Sequence, residues 1–342
     1  MHYYGADGRV LGSRYDALRD GGSCHFYFHD REYEQVDWTR APSASLAELY
    51  RARAEQIRRD YDYIVLAYSG GADSTNMLET FLENDIPVDE VLTVGSFSRD
   101  SFTGSDENRN GDFYHSAFPV LRELKGPRVT IFDYAKALAA PGELRAIEEH
   151  GSDWCKHASP FIVSPHHLVW ASIDKFIGCP NKKCALVFGG DKPWFGWDGS
   201  RGYVEIQDSH MSGYGNRRRV GDFDRVYFYT DPAATDILRK QAHVIQQFFL
   251  ESGLTYQQFH GRYADFVHAL IYRLRRPIPY VSQKSTLGII SSRDRWVLQA
   301  KDSDIYRLYV DGLRNFMNGL PDRGEQMRKK IVVFKTRRHY LS

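Results

Sequence analysis

The chain has 342 residues, 42% hydrophobic and 26% charged, with a formal net charge of +1. That is enough for one large core or two modest ones, and the near-neutral balance excludes bulk electrostatic attraction to nucleic acid or membrane. No apolar run reaches the length of a membrane span, and Met1-His2-Tyr3-Tyr4-Gly5 carries no apolar secretory core. A cytoplasmic protein with no membrane partner is expected, with free thiols at Cys24, Cys155, Cys179 and Cys184.

In chain order, residues 1–44 hold two short strand-like runs, Cys24 to Phe28 and Tyr33 to Trp38, read as a small β-hairpin module. Ser45 and Glu48 form a capping-box pair, and Leu46, Leu49, Tyr50, Ala54 and Ile57 recur at helical spacing behind them. Tyr63-Ile64-Val65-Leu66-Ala67 is a short apolar run, the signature of a buried parallel strand. It runs into Ser69-Gly70-Gly71-Ala72-Asp73-Ser74, after which Met77, Leu78, Phe81 and Leu82 share a helix face. Val88 to Gly95 reads as a second strand. The polar stretch Ser96 to Gly111 is long for a compact domain and suggests a substrate lid. A helix around Tyr114 to Leu124, a strand from Arg128 to Phe132 and a mainly helical stretch over 134–176 follow. Cys184 to Phe188 is a fourth strand, ending in Gly189-Gly190-Asp191-Lys192-Pro193.

Beyond Gly199, Arg201 to Gln207 and Asp224 to Tyr229 read as strands. Thr230-Asp231-Pro232 opens an amphipathic helix carrying Ile237, Leu238, Ala242, Ile245, Phe248 and Phe249. The remainder reads as mostly helical up to Ile331-Val332-Val333-Phe334. The expected fold is α/β, a Rossmann-like doubly wound parallel sheet with a small N-terminal β module and a mostly helical C-terminal part. The expected division is 1–44, 45–200 and 201–342. In such sheets ligands lie beyond the carboxyl ends of the strands, where the Ser69, Gly95-Ser96 and Gly189 turns all fall.

A strand, a Ser-Gly-Gly-Ala-Asp-Ser loop and a helix make a phosphate-binding arrangement. Glycines let the backbone approach an anion, and the amides of a helix start point at it. Asp73 beside phosphate calls for a cation, and Mg²⁺ bridges carboxylate and phosphate oxygens. The loop lacks the Lys-Ser/Thr ending of a Walker A motif, which argues against γ-phosphate hydrolysis.

Ser69-Gly70-Gly71-Ala72-Asp73-Ser74 resembles the S-G-G-x-D-S signature of the PP-loop ATP pyrophosphatases. That superfamily includes asparagine synthetase, GMP synthetase, tRNA-thiolating enzymes and phosphoadenosine-phosphosulfate reductases. The resemblance implies a HUP-type sheet holding ATP and Mg²⁺ with the α-phosphate open to attack, and covers about residues 60–196. By motif position Ser69, Gly70, Gly71, Asp73 and Ser74 would hold the pyrophosphate. Ala67, Tyr68, Ala72, Val94, Gly95 and Ser96 complete the expected nucleotide pocket, with adenine against the backbone near Ala67 and Val94. The segment from Leu186 to Gly196 is similar to one in asparagine synthetase, so Gly189 and Gly190 join the nucleotide site and Asp191 becomes a second magnesium carboxylate. Lys192 stands where that family has an acid, and would contact phosphate. No glutaminase domain is expected ahead of the loop, since residue 2 is His and the motif begins at Ser69. Phe228 to Phe248 and the chain's end also resemble PP-loop proteins of bacteriophages.

The expected activity is therefore AMP-forming: a substrate oxygen is adenylated and then coupled to a nitrogen nucleophile, with Asp73, Asp191 and Lys192 as the catalytic set. One alternative is a sulfurtransferase or phosphosulfate-reductase-like enzyme using Cys155, Cys179 or Cys184, although the C-x-x-C cue of a metal or iron–sulfur site is absent. Another is a nucleotide-binding module without turnover. His157, His166 and His167 read as polar surface or cleft residues. Arg217 to Arg219, the Arg273–Arg276 segment and seven Lys/Arg against two acids from Asp322 to Arg338 are local basic patches. They are solvated faces or the seat of an anionic substrate, a nucleotide or nucleic acid.

Overall fold

The computed structural model describes residues 2–12, 14–20, 24–95, 113–133, 145–154, 177, 181–190, 193–207, 219–220, 223–272, 303–319 and 335–342. At the front, β1 (His2–Tyr4) pairs antiparallel with both β2 (Val10–Leu11) and β3 (His25–Tyr27), and α1 (Arg14–Arg19) packs on them. The expected strand over Tyr33 to Trp38 does not form. A short helix, α2 (Asp30–Tyr33), ends there, and the Trp38 indole donates to the Tyr33 carbonyl at 2.9 Å. The reason is long-range packing. The ring of His339, from the far end of the chain, stacks on Trp38 at 4.7 Å and meets Tyr33 edge-on at 5.8 Å.

Helix α3 (Leu46–Asp60) starts as its sequence dictates. The Ser45 hydroxyl accepts from the Glu48 amide at 3.3 Å, and the Glu48 carboxylate accepts from the Ser45 amide at 2.8 Å. It leads into β4 (Tyr63–Ala67), the loop, and α4 (Ala72–Glu83). Met77, Leu78 and Phe81 are buried on α4, whereas Leu82, expected beside them, is exposed. β5 (Glu90–Gly95), α5 (Phe118–Glu123, behind a π-turn at Phe113–Ala117), β6 (Arg128–Asp133) and α6 (Arg145–His150) come next. After them stand β7 (Cys184–Phe188), β8 (Trp194–Trp197), β9 (Gly202–Glu205), β10 (Arg219–Val220) and β11 (Phe223–Tyr227). The chain then turns helical in α7 (Thr235–Ser252), α8 (Tyr256–Gly261), α9 (Tyr263–Ile271) and α10 (Ser303–Asn318), and closes with β12 (His339–Tyr340).

The central sheet has the order β10-β11-β7-β4-β5-β6. Five of its strands, β11 to β6, run parallel, β10 runs antiparallel at one edge, and helices flank the sheet. Every residue of β7 is buried, as are Ile64, Val65 and Leu66 of β4, so both strands read in sequence as unbroken apolar runs. The parallel order places β5 and β6 on one side of β4 and β7 and β11 on the other. The direction of winding therefore reverses between β4 and β7. This crevice, beyond the carboxyl ends of two diverging strands, is where open α/β sheets bind ligands. The sheet also crosses residue 200, because β11 pairs with β7 along its whole length. A second antiparallel sheet, β12-β9-β8, packs against α7. No helix among the described residues is long and apolar enough to cross a membrane.

Candidate functional site

Ala67, Phe188 and Tyr227, the last residues of β4, β7 and β11, lie on one rung of the sheet. The Ser69 loop, the Gly189-Gly190 turn and Phe228-Tyr229, which continue from these strand ends, therefore emerge at one level. Tyr68 is fixed at three points. Its amide donates to the Leu92 carbonyl at 2.8 Å, its carbonyl accepts from the Thr93 hydroxyl at 2.8 Å, and its buried hydroxyl lies 3.4 Å from that of Thr75. Ala67 and Val94 are half-buried. Val94 and Gly95 stand two and three positions past Leu92, the partner of Ala67.

Two glycines are required by close approach. Gly70 has φ of +80°, and a Cβ there would lie 2.6 Å from the Ala117 amide nitrogen. Gly189 faces the first turn of α4, where a Cβ would lie 3.0 Å from both the Asp73 carbonyl oxygen and the Ser74 Cα. Only hydrogen at Gly70 lets the loop fold under the π-turn, and the absence of a side chain at Gly189 lets β7 meet α4 closely on the other side.

The loop's hydroxyls face one another. Ser69 Oγ and Ser74 Oγ are 3.1 Å apart, the Ser69 amide donates to Ser74 Oγ at 3.2 Å, and the Gly71 amide donates to Ser69 Oγ at 3.3 Å. Ser74 is buried and Ser69 is open to solvent. Gly71 is the N-cap of the 12-residue helix α4 and supplies no side-chain cap. The positive end of that helix thus opens into the loop, a setting that favours an anion.

Asp73, in the first turn of α4, is half-buried and faces tyrosines. Burial and then the Asp73 charge hold the Tyr272 hydroxyl well above its usual range. The same carboxylate adds to the upward shift of Tyr50 and Tyr229, in which burial is again the larger cause. The Tyr229 hydroxyl donates to the Asp73 carbonyl at 2.8 Å and accepts from Asn76 Nδ2 at 2.8 Å. The Tyr50 hydroxyl accepts from Gln241 at 3.0 Å and donates to the Ile271 carbonyl at 2.5 Å. Sequence reasoning missed Tyr50, Asn76, Tyr229 and Tyr272. The available signal was Tyr229: two residues past the end of a parallel strand, it belongs to the edge where ligands sit.

The structure thus brings Ala67, Tyr68, Ser69, Gly70, Gly71, Ala72, Asp73, Ser74, Gly189 and Gly190 to one corner, with Val94 and Gly95 on the neighbouring strand. Asp191, Lys192, the Ser96–Gly111 stretch, Cys155, Cys179 and the three histidines lie outside the described residues. The expectation of free thiols fails at Cys184, which is disulfide-bonded, whereas Cys24 is free and buried. Spacing alone does not disclose such a pairing. Of the basic patch that ends at Arg338, the three cations within the described residues are engaged. Lys335 and Arg338 both pair with buried Glu205, at 2.8 and 3.3 Å, and Arg337 pairs with Glu34 at 2.8 Å. The rings of Trp194 and Tyr203 also lie under Lys335 and Arg338.

No family model matches this chain, and no curated protein matches it.

Proposed function

We propose that this chain is a PP-loop ATP pyrophosphatase with a HUP-type nucleotide domain, which binds ATP on Ser69 to Ser74 and transfers AMP to a substrate oxygen. The observation that carries this reading is the loop's position. It joins the strand and helix beside the point where sheet winding reverses, with Gly189 of the neighbouring strand pressed against the same helix turn. The amides of the helix start and the hydroxyls of Ser69 and Ser74 receive the β- and γ-phosphates, while the close packing at Gly70 and Gly189 holds the loop against Ala117 and β7 against the first turn of α4. The adenine lies along the backbone near Ala67 and Val94, with Tyr68 and Ala72 shaping the turn.

In the transfer, a carboxylate, carbonyl or amide oxygen of the substrate attacks the α-phosphorus. The bond from that phosphorus to the bridging oxygen breaks, and pyrophosphate departs. A nitrogen nucleophile then displaces AMP. Fixed amide dipoles at the start of α4 stabilise the charge that gathers on the leaving pyrophosphate, with Lys192 as a further cation.

Hydroxyl and carboxylate oxygens are the hard donors that Mg²⁺ takes, and one or two carboxylates plus nucleotide phosphates suffice for it. Asp73 and Asp191 would hold Mg²⁺, which when bound neutralises phosphate charge. The acceptor is a small-molecule or nucleotide-type substrate.

The reading is tested by incubating the protein with ATP, Mg²⁺ and candidate acceptors and separating the products. AMP and pyrophosphate are expected, and Ser74→Ala with Asp73→Asn should suppress them. Release of ADP, or no calorimetric affinity for ATP, would overturn it.

A further inference from the structure

The floor beneath the loop is made by the second half of the chain. Tyr229, just past β11, and Tyr272, which caps α9, stand with rings 5.5 Å apart, and Tyr50 of α3 meets Tyr229 edge-on at 5.6 Å. Both Tyr229 and Tyr272 are buried. Their hydroxyls converge on one residue of the loop's helix: that of Tyr229 donates to the Asp73 carbonyl, and that of Tyr272 faces the Asp73 carboxylate. A buried hydroxyl is costly unless it finds a partner, so Tyr229 favours the backbone conformation that supplies one, while the Tyr272 hydroxyl is buried without a hydrogen bond and acts on the nearby Asp73 carboxylate as a dipole. Asn76, one turn further along α4, closes the network through Tyr229. Tyr50 ties it to α9 by its bond to the Ile271 carbonyl, adjacent to Tyr272.

Resting on the function proposed above, we infer that Tyr229 and Tyr272 are positioning residues for the nucleotide loop. They fix the first turn of α4 and the direction of the Asp73 carboxylate, and so couple affinity for metal–nucleotide to the docking of α9. They act through Asp73, as partners of a metal-binding carboxylate do, where losing the partner weakens metal affinity by about 10- to 100-fold.

The test uses Tyr229→Phe and Tyr272→Phe in the full chain, which keep the rings and remove only the hydroxyls. Tyr63→Phe is the control, because its hydroxyl bonds Glu90 at the opposite end of β4. Titration calorimetry with ATP, with and without Mg²⁺, gives the gain in affinity due to the metal. A fall of about 10-fold or more in that gain is expected for both variants and none for Tyr63→Phe. Hydrogen exchange without ligand gives a second readout: the Ser74 to Met77 amides should lose protection in Tyr229→Phe. A purely structural role would lower the melting temperature and leave the metal-dependent gain intact, and that result overturns the inference. Unchanged exchange at the helix start also overturns it. If the wild-type protein shows no affinity for ATP, the functional reading falls, and with it the coupling to metal, while the exchange experiment still decides whether the tyrosines hold the turn.

Discussion

Replacing Gly70 by alanine should cost far more than its one added methyl suggests. The cost has two parts. At φ of +80° a side chain meets its own backbone, a penalty of about 1–2 kcal/mol. The new Cβ would also lie 2.6 Å from the Ala117 nitrogen and 3.0 Å from the Ala117 Cα and Cβ, well inside the carbon contact distance of about 3.5–4.0 Å. Two of those three atoms are backbone, so no rotamer change relieves the clash, and overpacking of this kind costs about 1–3 kcal/mol. Together they predict a loss of about 2–5 kcal/mol in unfolding free energy.

Gly253 separates the two parts. It ends α7 with φ of +67°, and a Cβ added there would meet nothing within 4 Å. Gly253→Ala should therefore lose only the conformational term, about 1–2 kcal/mol. Urea unfolding of both variants, followed by circular dichroism with matched slopes, gives the difference. If Gly70→Ala is no more destabilised than Gly253→Ala, the loop does not press on Ala117, and the turn is not crowded.

Three further outcomes rest on local chemistry. Ser45→Ala removes the acceptor of the Glu48 amide and should cost about 1 kcal/mol in thermal or urea unfolding, and an unchanged midpoint would show that the capping box contributes nothing. Burial pushes the His339 imidazole down to about 4, so the folded protein binds fewer protons than the unfolded one between that value and the ordinary 6.5. The contribution of His339 is therefore complete above pH 6.5 and is lost as pH falls toward 4, up to about 3 kcal/mol. His339→Phe keeps the stack on Trp38 and should flatten the decline in melting temperature between pH 7 and pH 4.5, and identical slopes would count against this assignment. Glu205→Gln leaves Lys335 and Arg338 without their shared carboxylate. Since both cations are partly exposed, about 1–2 kcal/mol is expected, with earlier cleavage near the chain's end in limited proteolysis.

Elements with local causes were legible in the sequence. Ser45 and Glu48 announce a helix start because both partners of the reciprocal bond lie within four residues. Tyr63 to Ala67 and Cys184 to Phe188 announce parallel strands because burial on both faces removes polar alternation. The strand order was not legible, since nothing in Cys184 to Phe188 says that it lies beside β4 rather than β6. Tyr33 to Trp38 misled for a related reason. The aromatic run suits a strand, but its conformation is set by the ring of His339, some 300 residues away in sequence. The placement of the loop between a buried strand and a helix was legible. The loop's floor was not, because Tyr229 and Tyr272 carry no motif and reach Asp73 only through tertiary packing.

The expected boundary at residue 200 cuts through this floor. Strand, loop and helix from 63 to 83 look self-sufficient in sequence, yet each side of the loop is bounded by another segment. Ala117 presses on Gly70, Gly189 meets the helix turn, and Tyr229 holds the Asp73 carbonyl. A chain ending at 200 would lack β11, and β7, all five residues of which are buried, would become an open sheet edge. It would also lack both tyrosines of the floor, leaving Asn76 without the hydroxyl that accepts its amide hydrogen. The Ser-Gly-Gly-Ala-Asp-Ser signature is local, but the packing that fixes its geometry is distributed over more than 150 residues of chain, from Asp73 to Tyr229.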